Sequence, residues 1–249
     1  MKRLRESNER LATLEVIIIG LLFFGAPCFF SIQGYFNAIA SNGGQGLEWT
    51  SLKTYENYAT IFYEIGILAL TFSYLQYTEF RFSALNFRFS WDTIPIILAL
   101  FVSAALLSDL GTLISSILLQ PHVPSDFDTF EIGEPETTML WTHITPTWIG
   151  FALLNGFFEE LYFMGIVFLP PKKQQKYVIF FSIFLRFLFH IYQGIPAAIG
   201  VMCMGIVFLL VRRKTKSLLP FVLTHSLFDI FGVGLMHWVL YFTESSLKT

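Results

Sequence analysis

Residues 148–170 are almost entirely apolar, yet they contain two adjacent carboxylates, Glu159 and Glu160. Roughly 20 helical residues cross the ~30 Å hydrocarbon core of a bilayer, so this run is long enough to span a membrane. Carboxylates are costly at that depth and usually serve an ion pathway, a proton relay or a reaction. The alternative is a helix cap at the membrane surface, because acids stabilise helix N-termini and Asn155-Gly156 precedes the pair.

The composition extends this membrane interpretation to the whole chain. The sequence is 54% hydrophobic and only 14% charged, with a mean hydropathy of +0.60. A soluble domain is about 25% charged. The net charge of −2 offers no basic surface for nucleic acid, so no nucleic-acid partner is expected. We predict a single integral membrane domain that covers residues 1–249 and is surrounded by the lipid bilayer.

Apolar segments recur along the chain and predict an all-α, polytopic transmembrane helix bundle around an intramembrane polar cavity. We expect about seven spans, or eight if the segment before Pro146 also enters the membrane. The expected spans are residues 16–36, 58–77, 93–119, 146–170, 177–192, 197–211 and 218–242. Pro170-Pro171 is expected to end the fourth of these helices.

The distribution of charge between the spans predicts the orientation of the chain. Basic residues cluster before the first span and after the second, fourth and sixth, whereas the 121–138 loop is acidic without any lysine or arginine. Since cytoplasmic loops carry an excess of Lys and Arg, the N-terminus is predicted to be cytoplasmic. We expect a multi-pass protein of the bacterial cell membrane.

Polar residues at helical spacing also occur in the later spans. His225 and Asp229 lie four residues apart and share one helix face, as do Arg186 and His190. The neighbouring Glu159 and Glu160 point about 100° apart around their helix, so they cannot have the same role. Spans four and five run antiparallel, which predicts that Glu159 and His190 approach the same non-cytoplasmic end. Glu64 and Asp109 are isolated and are interpreted as structural or lumen-facing.

Carboxylates and imidazoles around one cavity suit two chemistries. A glutamate in a dry pocket can act as general base on water while histidines stabilise the oxyanion. Alternatively Glu159, His190 and His225 bind a metal such as zinc. The metal interpretation is the weaker one, because the sequence has no third histidine in the set and no close-spaced histidine pair. We therefore expect no cofactor.

The order of these motifs resembles the CAAX protease and bacteriocin-processing family, also called the CPBP or ABI family. Its pattern is Glu-Glu-x-x-x-Arg, then Phe-x-x-x-His, then His-x-x-x-Asn or Asp. The resemblance covers residues 147–235 and includes the type II CAAX prenyl endopeptidase. The matching residues here are Glu159, Glu160, His190, His225 and Asp229. Two positions depart from the family pattern. Met164 occupies the position of its Arg, and Arg186 occupies the position of its Phe.

The resemblance implies a role for each matching residue. Glu159 is expected to activate water with help from Glu160, His190 to position that water, and His225 with Asp229 to form the oxyanion site. Because Met164 leaves Glu160 without its local cation, we hypothesise that Arg186 pairs with Glu160 across the contact between spans four and five. The alternative is that Arg186 snorkels to a membrane surface.

The resulting prediction is a glutamate-dependent intramembrane endopeptidase that hydrolyses a peptide bond in a membrane-associated peptide or protein. Candidate substrates are a prenylated tail, a bacteriocin or pheromone precursor and a leader peptide. One alternative is a non-catalytic relative that binds a membrane-protein partner in bacteriocin immunity or cell-envelope regulation. Another is a small proton-coupled transporter that uses Glu64, Asp109 and the glutamate pair as a relay.

Overall fold

The computed structural model describes residues 10–42, 54–119, 145–232 and 234–235, and all regular secondary structure in these residues is helical. The predicted all-α class is therefore confirmed. The α-helices are α1 (Thr13–Asn42), α2 (Thr54–Tyr77), α3 (Thr93–Leu119), α4 (Pro146–Glu160), α5 (Lys172–His190), α6 (Ile195–Arg212) and α7 (Leu219–Phe231). The shorter helical turns are Phe82–Leu85, Leu161–Gly165, Ile166–Phe168 and Ile191–Gln193.

Five helices in the described part of the chain are both long and apolar enough to cross a bilayer. They are Thr13–Asn37, Tyr58–Tyr77, Thr93–Leu119, Pro146–Phe168 and Ile195–Arg212. α5 has 19 residues, but three lysines near its start and Arg186 near its end make it too polar. α7 is apolar but has only 13 residues, and the predicted seventh span continued into residues 236–242, which lie outside the described part.

The fourth predicted span begins where the sequence placed its start. The Thr145 side chain accepts a hydrogen bond from the Trp148 backbone N–H at 3.1 Å, and Pro146 occupies the first turn, as is common at helix N-termini. The acid pair therefore lies at the C-terminal end of α4. The alternative that Glu159 and Glu160 cap a helix N-terminus is wrong.

The helix does not stay regular up to the two prolines. After Glu160 it widens into a π-helical turn at Leu161–Gly165 and then tightens into a 3₁₀ turn at Ile166–Phe168. Such π turns occur mostly as single insertions in α-helices and often at functional sites. Arg212 of α6 donates from Nε to the Met164 carbonyl at 2.6 Å, which satisfies a backbone group of the widened turn.

The helix packing places α4 between α7 on one side and α2 on the other, while α1 packs on α5 and α3 on α6. Aromatic rings fill the contact between α1 and α4, where Phe23 stacks on Phe158 at a centroid distance of 4.4 Å. Tyr63 of α2 meets the same Phe158 edge-on at 6.3 Å. Because lipid tails are as apolar as these side chains, close packing rather than hydrophobic exclusion holds such helices together.

Hydrogen bonds join the connections between helices in pairs. The Thr13 hydroxyl at the start of α1 donates to Gln174 at the start of α5 at 2.5 Å. The Ser217 hydroxyl, between α6 and α7, donates at 2.8 Å to the carbonyl of Arg88, which lies between α2 and α3. The start of α1 is therefore next to the start of α5, and the α6–α7 connection is next to the α2–α3 connection.

Candidate active site

Glu160 is completely buried and ties three helices together. Its Oε1 accepts a hydrogen bond from Nη2 of Arg186 on α5 at 2.6 Å and another from Nδ1 of His225 on α7 at 2.6 Å. Its side chain has no exposed surface. Hydrogen bonds between ionised groups are short and about twice as strong as neutral ones. The hypothesis that Arg186 pairs with Glu160 is confirmed, and the snorkelling alternative is wrong because Arg186 is only 2% exposed.

The guanidinium of Arg186 is also held by its apolar surroundings. Its central carbon lies 4.1 Å from the ring centroid of Phe163, a distance typical of a cation–π contact. A Cβ added at Gly205 of α6 would lie only 2.7 Å from Cδ of Arg186, so the absence of a side chain there makes room for the arginine. Met164 lines the same small pocket as Arg186. Arg186 of α5 thus lies beside Met164, the position at which the family pattern has an arginine.

Glu159 has different surroundings from its neighbour, as the 100° angle between them predicted. It is 4% exposed, and its Oε2 lies 3.7 Å from Nε2 of His225, which is too far for a hydrogen bond. Among the described residues this buried oxygen has no hydrogen-bond partner. Glu160 is thus the acid held by cations, and Glu159 is the acid that no cation of the described residues holds at hydrogen-bond distance.

His225 lies between the acids of α4 and Asp229 of its own helix. Its Nδ1–H donates to Glu160, which leaves Nε2 facing Glu159 at 3.7 Å and Oδ1 of Asp229 at 3.6 Å. The other oxygen of Asp229, Oδ2, accepts from Nδ2 of Asn155 at 2.9 Å.

The close approach of α4 and α7 brings these groups together. A Cβ on Gly156 would lie 2.4 Å from Oγ of Ser226 and 2.9 Å from the Ser226 backbone nitrogen. Only glycine therefore fits at this crossing, which lies between the Asn155–Asp229 contact and the Glu160–His225 contact. The small residue sets the distance between the two helices and hence the spacing of the site.

His190 occupies a less central place than predicted. It is the last residue of α5 and is 9% exposed, and its Nδ1 lies 2.8 Å from the backbone carbonyl of Arg186. Glu159 lies in the middle of the helical stretch Pro146–Phe168 and not near its start. The α5 residue that contacts the acid pair is therefore Arg186 and not His190. His190 is one helical turn further along, within electrostatic reach of Arg186 and His225.

Glu64 was interpreted as isolated, and this interpretation is wrong. It is 2% exposed on α2, and it interacts electrostatically with Glu159, Asp229 and His225. Its Oε2 is buried without a hydrogen-bond partner among the described residues. A carboxylate inside an apolar span was the signal for it in the sequence. Only tertiary packing could show which site it belongs to.

Asp109 has a structural contact, as interpreted. Its Oδ2 on α3 accepts a hydrogen bond from the backbone N–H of Leu235 at 2.8 Å. This contact joins α3 to the chain that follows α7. The contact accounts for one oxygen of this acid.

A metal ion would find a different set of ligands from the predicted one. In the part of the chain that the structure describes, one ligand atom each of Glu159, Glu160 and His225 lie within 4.8 Å of one another. His190 is not in this group, so the predicted set of Glu159, His190 and His225 is not assembled. The guanidinium bound to Glu160 opposes a second cation at this position.

The polar groups of α4, α5 and α7 follow the order of the three sequence motifs, and the acids of α4 and α7 meet around the imidazole of His225. Residues 141–231 match the family of type II CAAX prenyl endopeptidase Rce1-like proteins. This match confirms the resemblance predicted for residues 147–235 and points to a CAAX-type intramembrane protease. No curated protein and no solved structure matches the chain.

The match to the Rce1-like family covers less than half of the chain and includes α4 to α7 with their site residues. Glu64 and the helices α1 to α3 lie outside it. Together with the five apolar helices, the match describes a multi-pass integral membrane protein.

Proposed function

We propose that this protein is a glutamate-dependent intramembrane endopeptidase with Glu159 as its general base. The observation that carries the proposal is the contrast between the two adjacent acids. Oε1 of Glu160 is bound by Arg186 and His225 at 2.6 Å each, and only its Oε2 lacks a partner among the described residues. Among these residues Glu159 has no cation within hydrogen-bond distance, and its Oε2 lies 3.7 Å from Nε2 of His225. A buried carboxylate with a free oxygen beside an imidazole is suited to take a proton from water.

In this mechanism one water molecule is consumed and no other reactant is required. Glu159 takes a proton from a water molecule bound beside its Oε2, Nε2 of His225 and Oδ1 of Asp229. The resulting hydroxide adds to the scissile carbonyl carbon, and a protonated His225 donates from Nε2 to the oxyanion. When the tetrahedral intermediate collapses, the C–N bond breaks and Glu159 returns the proton to the leaving amine.

The remaining site residues orient this chemistry. Glu160 accepts from Nδ1–H of His225 and so fixes the ring, and Arg186 balances the charge of Glu160. The Nδ1 of His190 is occupied by the Arg186 carbonyl, so only its Nε2 is left to contact water or substrate. We assign His190 a supporting role in holding the water.

The substrate class follows from the location of the site. The acids are buried among helices that are apolar enough to cross a membrane, which suits a peptide that is itself associated with the membrane. A prenylated tail, a bacteriocin or pheromone precursor and a leader peptide all satisfy this condition. The bacterial cell membrane is the expected location, and the competing role is a non-catalytic scaffold that binds a membrane-protein partner.

The decisive experiment is a cleavage assay in reconstituted membranes with these three kinds of peptide. Wild type is expected to release a defined fragment, and Glu159→Ala to release none. Leu153→Ala serves as the matched control, since Leu153 lies on the same helix and is 46% exposed. If no candidate is cleaved and the protein instead retains a membrane-protein partner equally well with Glu159→Ala, the scaffold role replaces the proposal.

Metal removal tests the chemistry of the site. We expect chelators to leave hydrolysis unchanged and elemental analysis to find no stoichiometric zinc, because Arg186 already supplies the cation at Glu160. The purified, reconstituted protein should be measured before and after dialysis against chelator. One zinc per chain, lost together with activity, would instead indicate a metal centre formed by Glu159, Glu160 and His225.

The orientation of the chain can be tested by labelling. Single cysteines in the 121–138 loop, which lies outside the described residues, are expected to react with an impermeant thiol reagent in intact cells. Cysteines beside Lys214 should react only after lysis, because basic connections stay in the cytoplasm. The background is a Cys28→Ala, Cys203→Ala chain, since both native thiols are free. The reverse labelling pattern would reverse the proposed topology.

A further inference from the structure

Asp229 is the most accessible acid around His225. Its side chain is 19% exposed, compared with 5% for Glu159 and 0% for Glu160. A side chain with an exposed edge is less confined by packing than a buried one, so its contacts must set its orientation. Something must hold it in place if its Oδ1 is to remain 3.6 Å from Nε2 of His225.

Asn155 holds the carboxylate of Asp229 in this orientation. Its Nδ2 donates to Oδ2 of Asp229 at 2.9 Å, which leaves Oδ1 as the oxygen on the side of His225. Asn155 lies one helical turn before Glu159 on α4, so both side chains project from the same face. The Gly156–Ser226 crossing next to it fixes the two helices at a distance that this hydrogen bond can bridge.

We propose that Asn155 is a positioning residue of the endopeptidase site and acts through Asp229. By holding one carboxylate oxygen, it keeps the other beside Nε2 of His225, the imidazole atom that also faces Glu159. The inference rests on the proposed function for its effect on catalysis, but the hydrogen bond and its effect on His225 do not depend on that function.

The alternative is that the amide only joins two helices. Interhelical hydrogen bonds in membranes typically contribute about 1 kcal/mol. A purely structural contact would lower the thermal midpoint without a selective loss of turnover. A positioning contact would reduce kcat while KM and the thermal midpoint change little.

The kinetic test uses Asn155→Leu in reconstituted membranes. Its kcat is expected to fall by about 10- to 100-fold, because the carboxylate it aims is freed, while KM stays within about twofold. In the Asp229→Ala background the same change should have no further effect, since its target is gone. Asn155→Gln, which keeps an amide donor, should retain more activity than Asn155→Leu, and Leu153→Ala should match wild type.

A spectroscopic test separates this inference from the proposed function. In ¹⁵N-histidine-labelled protein in detergent micelles, the His225 ring signals can be assigned by their loss in His225→Gln. Asn155→Leu is expected to shift them, and Leu153→Ala is not. If wild type cleaves no peptide but the shift occurs, the proposed function fails and the positioning contact stands. Unshifted signals, or kinetic losses that add to those of Asp229→Ala, would overturn the inference.

Discussion

Glu159→Gln is expected to reduce hydrolysis by about 10²-fold or more, because the amide keeps the size of the side chain but cannot accept the proton of water. The fold should survive, since a neutral amide is less costly than a carboxylate at this depth and Oε2 of Glu159 makes no hydrogen bond that the amide would lose. The measurement is single-turnover cleavage in reconstituted membranes, with the thermal midpoint recorded on the same preparation.

The matched control for this change is Asp92→Asn, which also replaces a carboxylate by an amide but lies exposed between α2 and α3. It should leave cleavage and stability unchanged. Turnover at the wild-type rate in Glu159→Gln would remove Glu159 as the base. Cleavage would then have to depend on another acid of the site, and Glu64, with its unpartnered buried oxygen, is the next to be tested.

Arg186→Met is expected to destabilise the fold by about 3–5 kcal/mol, because it leaves a completely buried carboxylate without its cation. Arg186→Met combined with Glu160→Gln should recover much of that loss, since the uncompensated charge is removed along with its partner. The free energy of unfolding in a mixed-micelle titration measures all four corners of this double-mutant cycle.

The exposed Arg213, at the end of α6, provides the control for this cycle. Arg213→Met removes the same charge and should change the free energy of unfolding very little. Strictly additive losses in the cycle would mean that the 2.6 Å contact does not couple Arg186 to Glu160 energetically. The arginine would then be retained for another reason, such as its contact with Phe163.

The sequence was sufficient for much of this molecule because apolar length and helical spacing act locally. Runs of apolar residues determine a helical membrane bundle, since every backbone group must be satisfied within its own segment in lipid. The four-residue spacing determines that His225 and Asp229 share a face. The pairing of Arg186 with Glu160 was also predictable, because a buried charge requires a partner and the neighbouring span offers one arginine.

Other features could not be predicted because they depend on how each helix is rotated and shifted against its neighbours. The α2–α4 contact decides that Glu64 lies near the acid pair, and the depth of α4 decides that Arg186 rather than His190 is level with it. Asn155 resembles a helix cap in the sequence and becomes a partner of Asp229 only when α7 closes against Gly156. The sequence by itself determined which polar groups enter the membrane, and tertiary packing decided which of their atoms meet, because periodicity fixes the faces of one helix but not its alignment with the next.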